Sequence, residues 1–186
     1  DVEAAKEQPI VLEGKKIDCI WSSFTMTGRE TQFLWAGPYL YSQQVVMVPK
    51  NSPIHSIKDL NGKIVGVQST TKPEDLLLRS GKDIPKIKEM IVFPTKSETV
   101  ASLREGGVDA VAGHITALYR YTVQEHFRFL SDALEEVRLG VAFPKSGDKK
   151  LVGALTNTLE DMKNEGLVDE IIQKYGLDPK LLVWGK

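Results

Sequence analysis

The amino-acid sequence predicts an α/β fold arranged as two lobes. Helical and extended patterns alternate along the 186 residues, which is typical of α/β proteins. Leu12–Ile20 and Leu103–Val111 resemble one another, because in each a helical end meets glycine and an apolar strand with an aspartate follows. This internal similarity indicates two lobes, each with polar groups just beyond the carboxyl end of a strand. Open α/β sheets usually bind ligands at that place.

The composition argues against several classes of function. The formal net charge is −1, and no basic cluster with interleaved aromatic residues occurs, so nucleic-acid binding has no support. No stretch approaches the roughly 20 apolar residues of a membrane span. The single cysteine, Cys19, excludes an internal disulfide, and its apolar neighbours predict a buried thiol. We find no metal-ligand set or phosphate-binding loop and therefore predict no cofactor.

The elements of the middle region follow from local signals. Val45–Val48 predicts a short strand, and Ser56–Asp59 resembles a capping box that opens a short helical turn. Ile64–Val67 predicts a buried strand. Thr71–Glu74 is a second capping-box pattern, and Leu76–Leu78 gives the helix behind it an apolar face.

The remaining elements alternate in the same way. Ile91–Phe93 predicts a strand, Thr95–Glu98 caps the next helix, and Gly106 ends that helix. Gly166 separates two further helices, the second of which ends at Gly176. The first of these helices has one apolar stripe, formed by Leu151, Leu155, Leu159 and Met162.

Two extended segments predict where the chain passes between the lobes. Tyr41–Gln44 leads out of the first lobe, and Leu139–Ala142 leads back. Lobe 1 is therefore expected to comprise residues 1–43 and 141–186, and lobe 2 residues 44–140. Two lobes joined in this way predict an interlobe cleft that closes over a ligand by hinge motion.

A series of motifs covers nearly the whole chain. In sequence order they are Gly14–Asp18, Ser22–Glu30, Gly37–Tyr39, Leu60–Gln68, Gly107–Val111 and Leu139–Lys145. Together they resemble the polar amino-acid-binding proteins of ABC importers, which are the bacterial extracellular solute-binding proteins of family 3. The resemblance implies a periplasmic-binding-protein-like fold, with two α/β lobes joined by a two-stranded hinge.

The resemblance also implies ligand-binding residues in the first lobe. The planar fork of an arginine forms two charge-assisted hydrogen bonds with a carboxylate, and Arg29 resembles the family's carboxylate clamp. Otherwise Arg29 is an exposed loop residue. Ser23 and Thr25 match positions that bind the ammonium and carboxylate of the ligand. Ser22 either contacts the ligand or bonds its own backbone.

In the second lobe, Ser69, Thr70 and Thr71 precede a helix. Free backbone N–H groups and the helix dipole favour an anion there. The resemblance implies carboxylate contact, with Thr71 as the best candidate, although Thr71 also fits a simple N-cap. Gln68, at the strand end, either reaches the ligand side chain or faces solvent.

His114 departs from the family pattern, which usually has an aspartate at this position that pairs with the ligand ammonium. A histidine carries no negative charge and cannot supply that ion pair. Either another acceptor pairs with the ammonium, or the ligand is not a standard α-amino acid. The alternative is that His114 merely ends a strand.

Family members normally begin with a strand, a helix and a second strand before the region that matches Asp1. The resemblance therefore implies an incomplete first lobe with an exposed sheet edge. The sequence is either a fragment, a cleaved protein, one part of a two-segment protein or a shortened homologue. If the protein itself begins at this point, we expect weak ligand binding or a dimer through this incomplete lobe.

The sequence thus predicts an extracytoplasmic solute-binding protein rather than an enzyme. It would capture a polar amino acid or a related small carboxylate and deliver it to an ABC importer permease. By family, it would be periplasmic or tethered outside the cytoplasmic membrane. One alternative is a ligand-sensing domain of a receptor. A second is a cyclohexadienyl-dehydratase-like enzyme with His114 as a general acid or base.

Overall fold

A computed structural model describes residues 17–21, 24–79 and 85–177 of the chain. The described residues divide into two compact units. The central unit comprises residues 43–136, and the terminal unit comprises residues 17–42 and 137–177. The chain passes between them at Ser42–Gln43 and at Glu136–Val137. The sequence places the first boundary at 43/44, one residue later, and the second at 140/141, four residues later.

Strands and helices alternate along the described chain. The strands are β1 (Leu34–Pro49), β2 (Ile64–Gln68), β3 (Glu89–Phe93), β4 (Ala110–His114), β5 (Phe127–Phe129) and β6 (Glu135–Phe143). The α-helices are α1 (Lys72–Leu78), α2 (Lys96–Glu105), α3 (Ile115–Gln124), α4 (Lys149–Asn164) and α5 (Leu167–Lys174), and a short 3-10 helix spans Ile57–Leu60. The α/β class predicted from the sequence is confirmed.

The sheet has the order β3-β2-β4-β1-β5, and β6 also pairs with β1. Strands β2, β3 and β4 run parallel and are connected through α1 and α2, whereas β1 is antiparallel to β4 and β5. Parallel strands need such helical crossovers, because a tight turn cannot join them. This arrangement brings the carboxyl ends of β2 and β4 to the same edge of the sheet.

Local capping signals account for the ends of the elements. The Thr95 hydroxyl accepts a hydrogen bond from the Glu98 amide at 3.3 Å, as the sequence predicts, and Gly106 ends α2 with a φ of 77°. The Asp59 carboxylate accepts from the Ser56 amide at 2.9 Å at the start of the 3-10 helix. The positive φ at Gly106 favours glycine, because glycine has no Cβ to clash with the backbone.

Strand β1 is longer than the sequence predicts. Only Val45–Val48 has the apolar, β-branched pattern of a strand, yet β1 covers 16 residues and includes Pro38. Proline donates no ladder hydrogen bond and is a strand breaker by local rules. Pairing with β4, β5 and β6 extends β1, so non-local contacts override the local signal here.

The core of the central unit is formed by side chains from the sheet, the 3-10 helix and α1. Its fully buried members include Val46, Val48, Leu60, Val65, Val67 and Ala110. Burying apolar area of this kind is the main stabilising contribution to folding. The rigid sheet then holds the residues at its edge in place.

The terminal unit contains the start of β1, the end of β6, and helices α4 and α5. Ile20 and Ala142 exchange backbone hydrogen bonds of 2.9 and 3.1 Å across an isolated bridge. The Asp148 carboxylate caps α4 by accepting from the Lys150 amide at 2.8 Å. Gly166, with a φ of 79°, separates α4 from α5, as predicted.

Cys19 is half-buried against the apolar cluster formed by Ala36, Val141 and Phe143. Burial, with a smaller effect from the neighbouring Asp18 carboxylate, raises the pKa of the thiol above its usual value. A raised pKa disfavours the reactive thiolate, which agrees with a packing role for this residue.

Within the described ranges, no helix is both long enough and apolar enough to span a lipid bilayer.

Candidate functional site

The central unit brings the predicted second-lobe residues to one edge of its sheet. Strands β2 and β4 are parallel neighbours, with Val67 opposite Ala112. Gln68 ends β2 and His114 ends β4, so both lie at the carboxyl edge of the sheet. The Gln68–Thr71 loop therefore starts beside the strand that ends in His114. This is the usual position of ligand sites in open α/β sheets.

Hydrogen bonds within the Gln68–Thr71 loop fix its shape. The Thr71 hydroxyl donates to the Gln68 carbonyl at 2.6 Å, and the Thr70 hydroxyl donates to the Ser69 carbonyl at 2.7 Å. The Ser69 amide donates to the Phe93 carbonyl at 2.8 Å, at the end of the adjacent β3. Both threonine hydroxyls thus use their protons within the chain and retain only acceptor capacity for a ligand.

One backbone N–H group before α1, where the sequence predicts free N–H groups, already has an internal partner. The Thr70 amide donates to the Glu74 carboxylate at 2.5 Å, so an internal anion already occupies this donor. Thr71 is the N-cap residue, but its hydroxyl makes no capping bond, because it is turned toward Gln68. Thr70 has a φ of 61°, an uncommon value for a β-branched residue, and this conformation accompanies its contact with Glu74. Helix α1 has only seven residues.

His114 is a partly buried, neutral group at this edge. Its Nδ1 lies 2.7 Å from the Thr116 hydroxyl, whereas its Nε2 is buried and has no hydrogen-bond partner among the described residues. Burial lowers the pKa of the imidazole from 6.5 to about 4, because the charged form loses its hydration. The side chain is therefore uncharged at neutral pH. It provides a hydrogen-bonding atom but no counter-charge.

Gln44 is a further polar residue at this edge that the sequence analysis did not single out. It pairs with His114 across the antiparallel strands β1 and β4, and it is 2% exposed. Its Oε1 has no hydrogen-bond partner within the described part of the chain. One signal for Gln44 was available in the sequence: it directly precedes the apolar run Val45–Val48, which predicts a strand that enters the core.

Lys72 and Glu135 form a partly buried ion pair in the central unit. The Nζ of Lys72, the first residue of α1, lies 3.3 Å from Oε2 of Glu135, the first residue of β6. The side chains are 17% and 28% exposed. Lys72 therefore has an internal partner for its charge.

In the terminal unit, Thr25 and Arg29 lie on a loop attached to β6. Thr25 is buried and forms an isolated bridge with Leu139. The Thr27 hydroxyl accepts from the Arg138 amide at 2.9 Å. Gly28, with a φ of 79°, permits the turn that leads to Arg29. Ser22 and Ser23, which the sequence predicts as ligand contacts, lie outside the described residues.

Arg29 is held by aromatic residues. Its guanidinium carbon lies 4.9 Å from the centroid of the Phe24 ring, a cation–π arrangement. The Trp35 indole N–H donates to the Arg29 carbonyl at 3.2 Å. Phe24, Phe33 and Trp35 contact one another at centroid distances of 5.6 to 5.7 Å. The aromatic cluster thus supports both the backbone and the side chain of Arg29.

The carboxylate next to Arg29 is already paired. Glu30 accepts a hydrogen bond from Nη2 of Arg138 at 2.6 Å. A hydrogen bond from its own backbone amide, and then the charge of Arg138, lower the pKa of the Glu30 carboxyl below its usual value. No ion pair between Arg29 and an acidic residue occurs in the described ranges. The guanidinium donors of Arg29 therefore have no acidic partner among these residues.

The described residues contain no group of three or more histidine, cysteine, aspartate or glutamate side chains that could hold a metal ion. His55 and His126 are both exposed.

Comparison with known proteins identifies a family. The sequence model of the family described as bacterial extracellular solute-binding proteins, family 3, matches residues 7–178. A probable histidine-binding protein of Neisseria gonorrhoeae is 30% identical over 166 residues, which are 85% of this chain and 60% of that protein. The histidine-binding periplasmic protein of Salmonella typhimurium is 27% identical over 177 residues, or 88% of this chain and 66% of that protein. The chain thus spans less than two thirds of the length of these curated relatives.

Solved structures show the same fold. An ancestral arginine-binding protein, solved with bound arginine, has a TM-score of 0.75 and 29% sequence identity to this chain. The match covers 91% of this chain and 76% of the ancestral protein.

Proposed function

Because the chain belongs to the bacterial extracellular solute-binding proteins, family 3, we propose that it binds a polar amino acid or a related small carboxylate. The ligand is then delivered to an ABC importer permease. The similar proteins described above, which are histidine-binding and arginine-binding proteins, support this class of ligand.

The observation that carries this proposal is the environment of Arg29. Its guanidinium rests on the Phe24 ring, and the neighbouring Glu30 carboxylate is paired with Arg138. The guanidinium of Arg29, which has no acidic partner among the described residues, offers a planar set of donors that matches the two oxygens of a carboxylate. We assign Arg29 the role of binding the ligand carboxylate. Thr25, Ser22 and Ser23 are its proposed neighbours in binding.

In the central unit, the proposed ligand-binding residues are those at the carboxyl edge of the sheet. They are Gln68, Ser69, Thr70, Thr71 and His114. Because the Thr70 amide is bound to Glu74, we propose that this loop contributes mainly hydroxyl and carbonyl oxygens as acceptors. That one ligand engages residues of both units is a prediction from the sequence.

Export is part of the same proposal. The family name and the periplasmic relative support a location outside the cytoplasm, either free in the periplasm or tethered to the membrane. The names of the relatives reported above denote binding, which favours capture over the dehydratase-like alternative.

Thermal unfolding of the 186-residue chain against a panel of amino acids and small carboxylates tests the proposal. A ligand at 100 times its dissociation constant stabilises a single-site protein by about 2.7 kcal/mol, which raises the melting temperature measurably. We expect one class of carboxylate to raise it and Arg29→Ala to abolish the effect. The proposal fails if no carboxylate raises the melting temperature, or if Arg29→Ala retains the full effect.

A further inference from the structure

Two buried polar atoms in the central unit face the same side of the sheet. Gln44 and His114 are directly opposite one another on the antiparallel strands β1 and β4, so their side chains lie on one face. Oε1 of Gln44 and Nε2 of His114 are both buried, and neither has a hydrogen-bond partner in the described part of the chain. An unpaired buried polar atom destabilises a fold, so two such atoms opposite one another call for an explanation.

The contact between His114 and Thr116 limits what these two atoms can bind. The Nδ1 of His114 is bound to the Thr116 hydroxyl at 2.7 Å, which leaves Nε2 as the free ring nitrogen. If Thr116 donates, Nε2 carries a proton and donates; if Thr116 accepts, Nε2 is an acceptor. Oε1 of Gln44 accepts in both cases. In the first tautomer a hydroxyl group satisfies both atoms, because it accepts from Nε2 and donates to Oε1. In the second tautomer both atoms accept, and the single N–H of a secondary amide, as in an N-acylated amino acid, satisfies one of them.

Neither Gln44 nor His114 supplies a negative charge, and the two carboxylates of this region already have internal partners. The Glu74 carboxylate is bound to the Thr70 amide, and the Glu135 carboxylate is paired with Lys72. The imidazole of His114 is uncharged, since burial lowers its pKa to about 4. An ammonium brought against Gln44 and His114 would lose hydration without gaining a counter-charge from either of them. An uncharged group avoids that cost.

We propose that Gln44 and His114 form a subsite for an uncharged hydroxyl or amide group of a small carboxylate ligand. This inference rests on the function proposed above and narrows its ligand class. It points to 2-hydroxy acids and N-acylated amino acids rather than to amino acids with a free α-ammonium. The subsite lies beside the Gln68–Thr71 loop, at the edge of the same sheet.

Matched ligands test the subsite. The probes are histidine with imidazolelactic acid, glutamate with 2-hydroxyglutarate, and arginine with argininic acid; each pair differs only in the α-substituent. The N-acetyl derivatives of the same amino acids distinguish an amide from a hydroxyl. Dissociation constants are measured calorimetrically. For at least one pair, we expect the uncharged member or the N-acetyl derivative to bind at least tenfold more tightly than the amino acid.

Two variants and a matched control link this preference to Gln44. Gln44→Met keeps the length of the side chain but removes its polar atoms, and we expect the preference to fall below threefold. Gln44→Glu introduces a carboxylate, and we expect the amino acid to become the tighter ligand. The adjacent Gln43 points to the opposite face of β1, so Gln43→Met should leave the preference unchanged. Circular dichroism and the melting temperature establish that each variant is folded.

The outcomes separate the subsite from the general function. If the amino acid binds more tightly in every pair and binding still requires Arg29, the subsite is refuted and the proposed function stands. A preference for the uncharged ligand that survives Gln44→Met also refutes the subsite. If no compound binds the wild-type chain, the proposed function and the subsite both fail.

Discussion

The guanidinium carbon of Arg29 lies 4.9 Å from the centroid of the Phe24 ring, and the same ring stacks on Trp35 at a centroid distance of 5.7 Å. Trp35 in turn donates its indole N–H to the Arg29 carbonyl. Arg29 is therefore held at two points by one aromatic cluster. Such support lowers the entropy that the side chain would lose on binding a carboxylate.

The first prediction concerns the guanidinium itself. Arg29→Lys retains the positive charge but loses the planar fork and the stacking on Phe24. We expect the affinity for a carboxylate ligand to fall at least tenfold, which corresponds to about 1.4 kcal/mol. Calorimetric titration measures the change. Arg138→Lys is the matched control, because the Arg138 side chain binds Glu30, and it should change the affinity less than twofold. Equal losses in both variants would contradict a specific role for Arg29.

The second prediction separates support of Arg29 from general packing. Phe24→Leu removes the cation–π contact, which contributes about 0.5–1 kcal/mol, so the ligand affinity should fall two- to fivefold. Phe33 belongs to the same cluster, but the cation–π contact of Arg29 is with Phe24. Phe33→Leu should lower the free energy of unfolding and leave the affinity unchanged. Urea denaturation measures the free energy of unfolding, and calorimetric titration measures the ligand affinity. An equal fall in affinity in Phe24→Leu and Phe33→Leu would show that Phe24 acts through general packing and not through its contact with Arg29.

The third prediction is a pH dependence of stability. His114 has a pKa of about 4 in the fold and 6.5 when unperturbed, so the unfolded chain binds more protons between these values. Stability should therefore fall as the pH is lowered from 6.5 toward 4, by about 3 kcal/mol from this residue. His114→Gln cannot titrate and should lose less stability over this range. Urea denaturation at several pH values measures the free energy of unfolding of the wild type and of His114→Gln. If the two free energies fall in parallel as the pH is lowered, His114 is not the source of the pH dependence.

The fourth prediction uses two glycines of the terminal unit. A Cβ on Gly140 would lie 2.9 Å from Cε3 of Trp35 and 3.2 Å from the Ala36 carbonyl oxygen. Gly140→Ala should thus destabilise the fold by about 1–3 kcal/mol through overpacking. Gly153, within α4, has no described atom within 4 Å of the added Cβ. Gly153→Ala should stabilise the protein by up to about 1 kcal/mol, because alanine is the better helix former. Thermal unfolding compares the two, and a stable Gly140→Ala variant would contradict the close approach.

Elements with local signals were predictable from the sequence. Helix α2 begins after Thr95 and ends at Gly106 because a hydroxyl cap and a left-handed glycine act within one turn of the helix. The break between α4 and α5 follows from Gly166 in the same way. Neither feature depends on the remainder of the fold.

Features that depend on distant partners were not predictable. The chain changes from the central to the terminal unit at Glu136–Val137, whereas the strand pattern predicts Leu139–Ala142, because the unit against which a residue packs depends on distant parts of the chain. The Glu74 carboxylate binds the Thr70 amide instead of completing the predicted capping box, since the turn at Thr70 has a positive φ. Gln44 faces His114 only through the register of two strands that are far apart in sequence.

Both passages between the units lie inside strands, at Ser42–Gln43 within β1 and at Glu136–Val137 within β6. A protease usually cuts at exposed loop tips, and neither passage is one. In a chimera with a homologue, exchanging the central unit requires two simultaneous junctions, each within a strand. Each junction must preserve strand register, because a slip of one residue turns every side chain beyond it to the opposite face of the sheet.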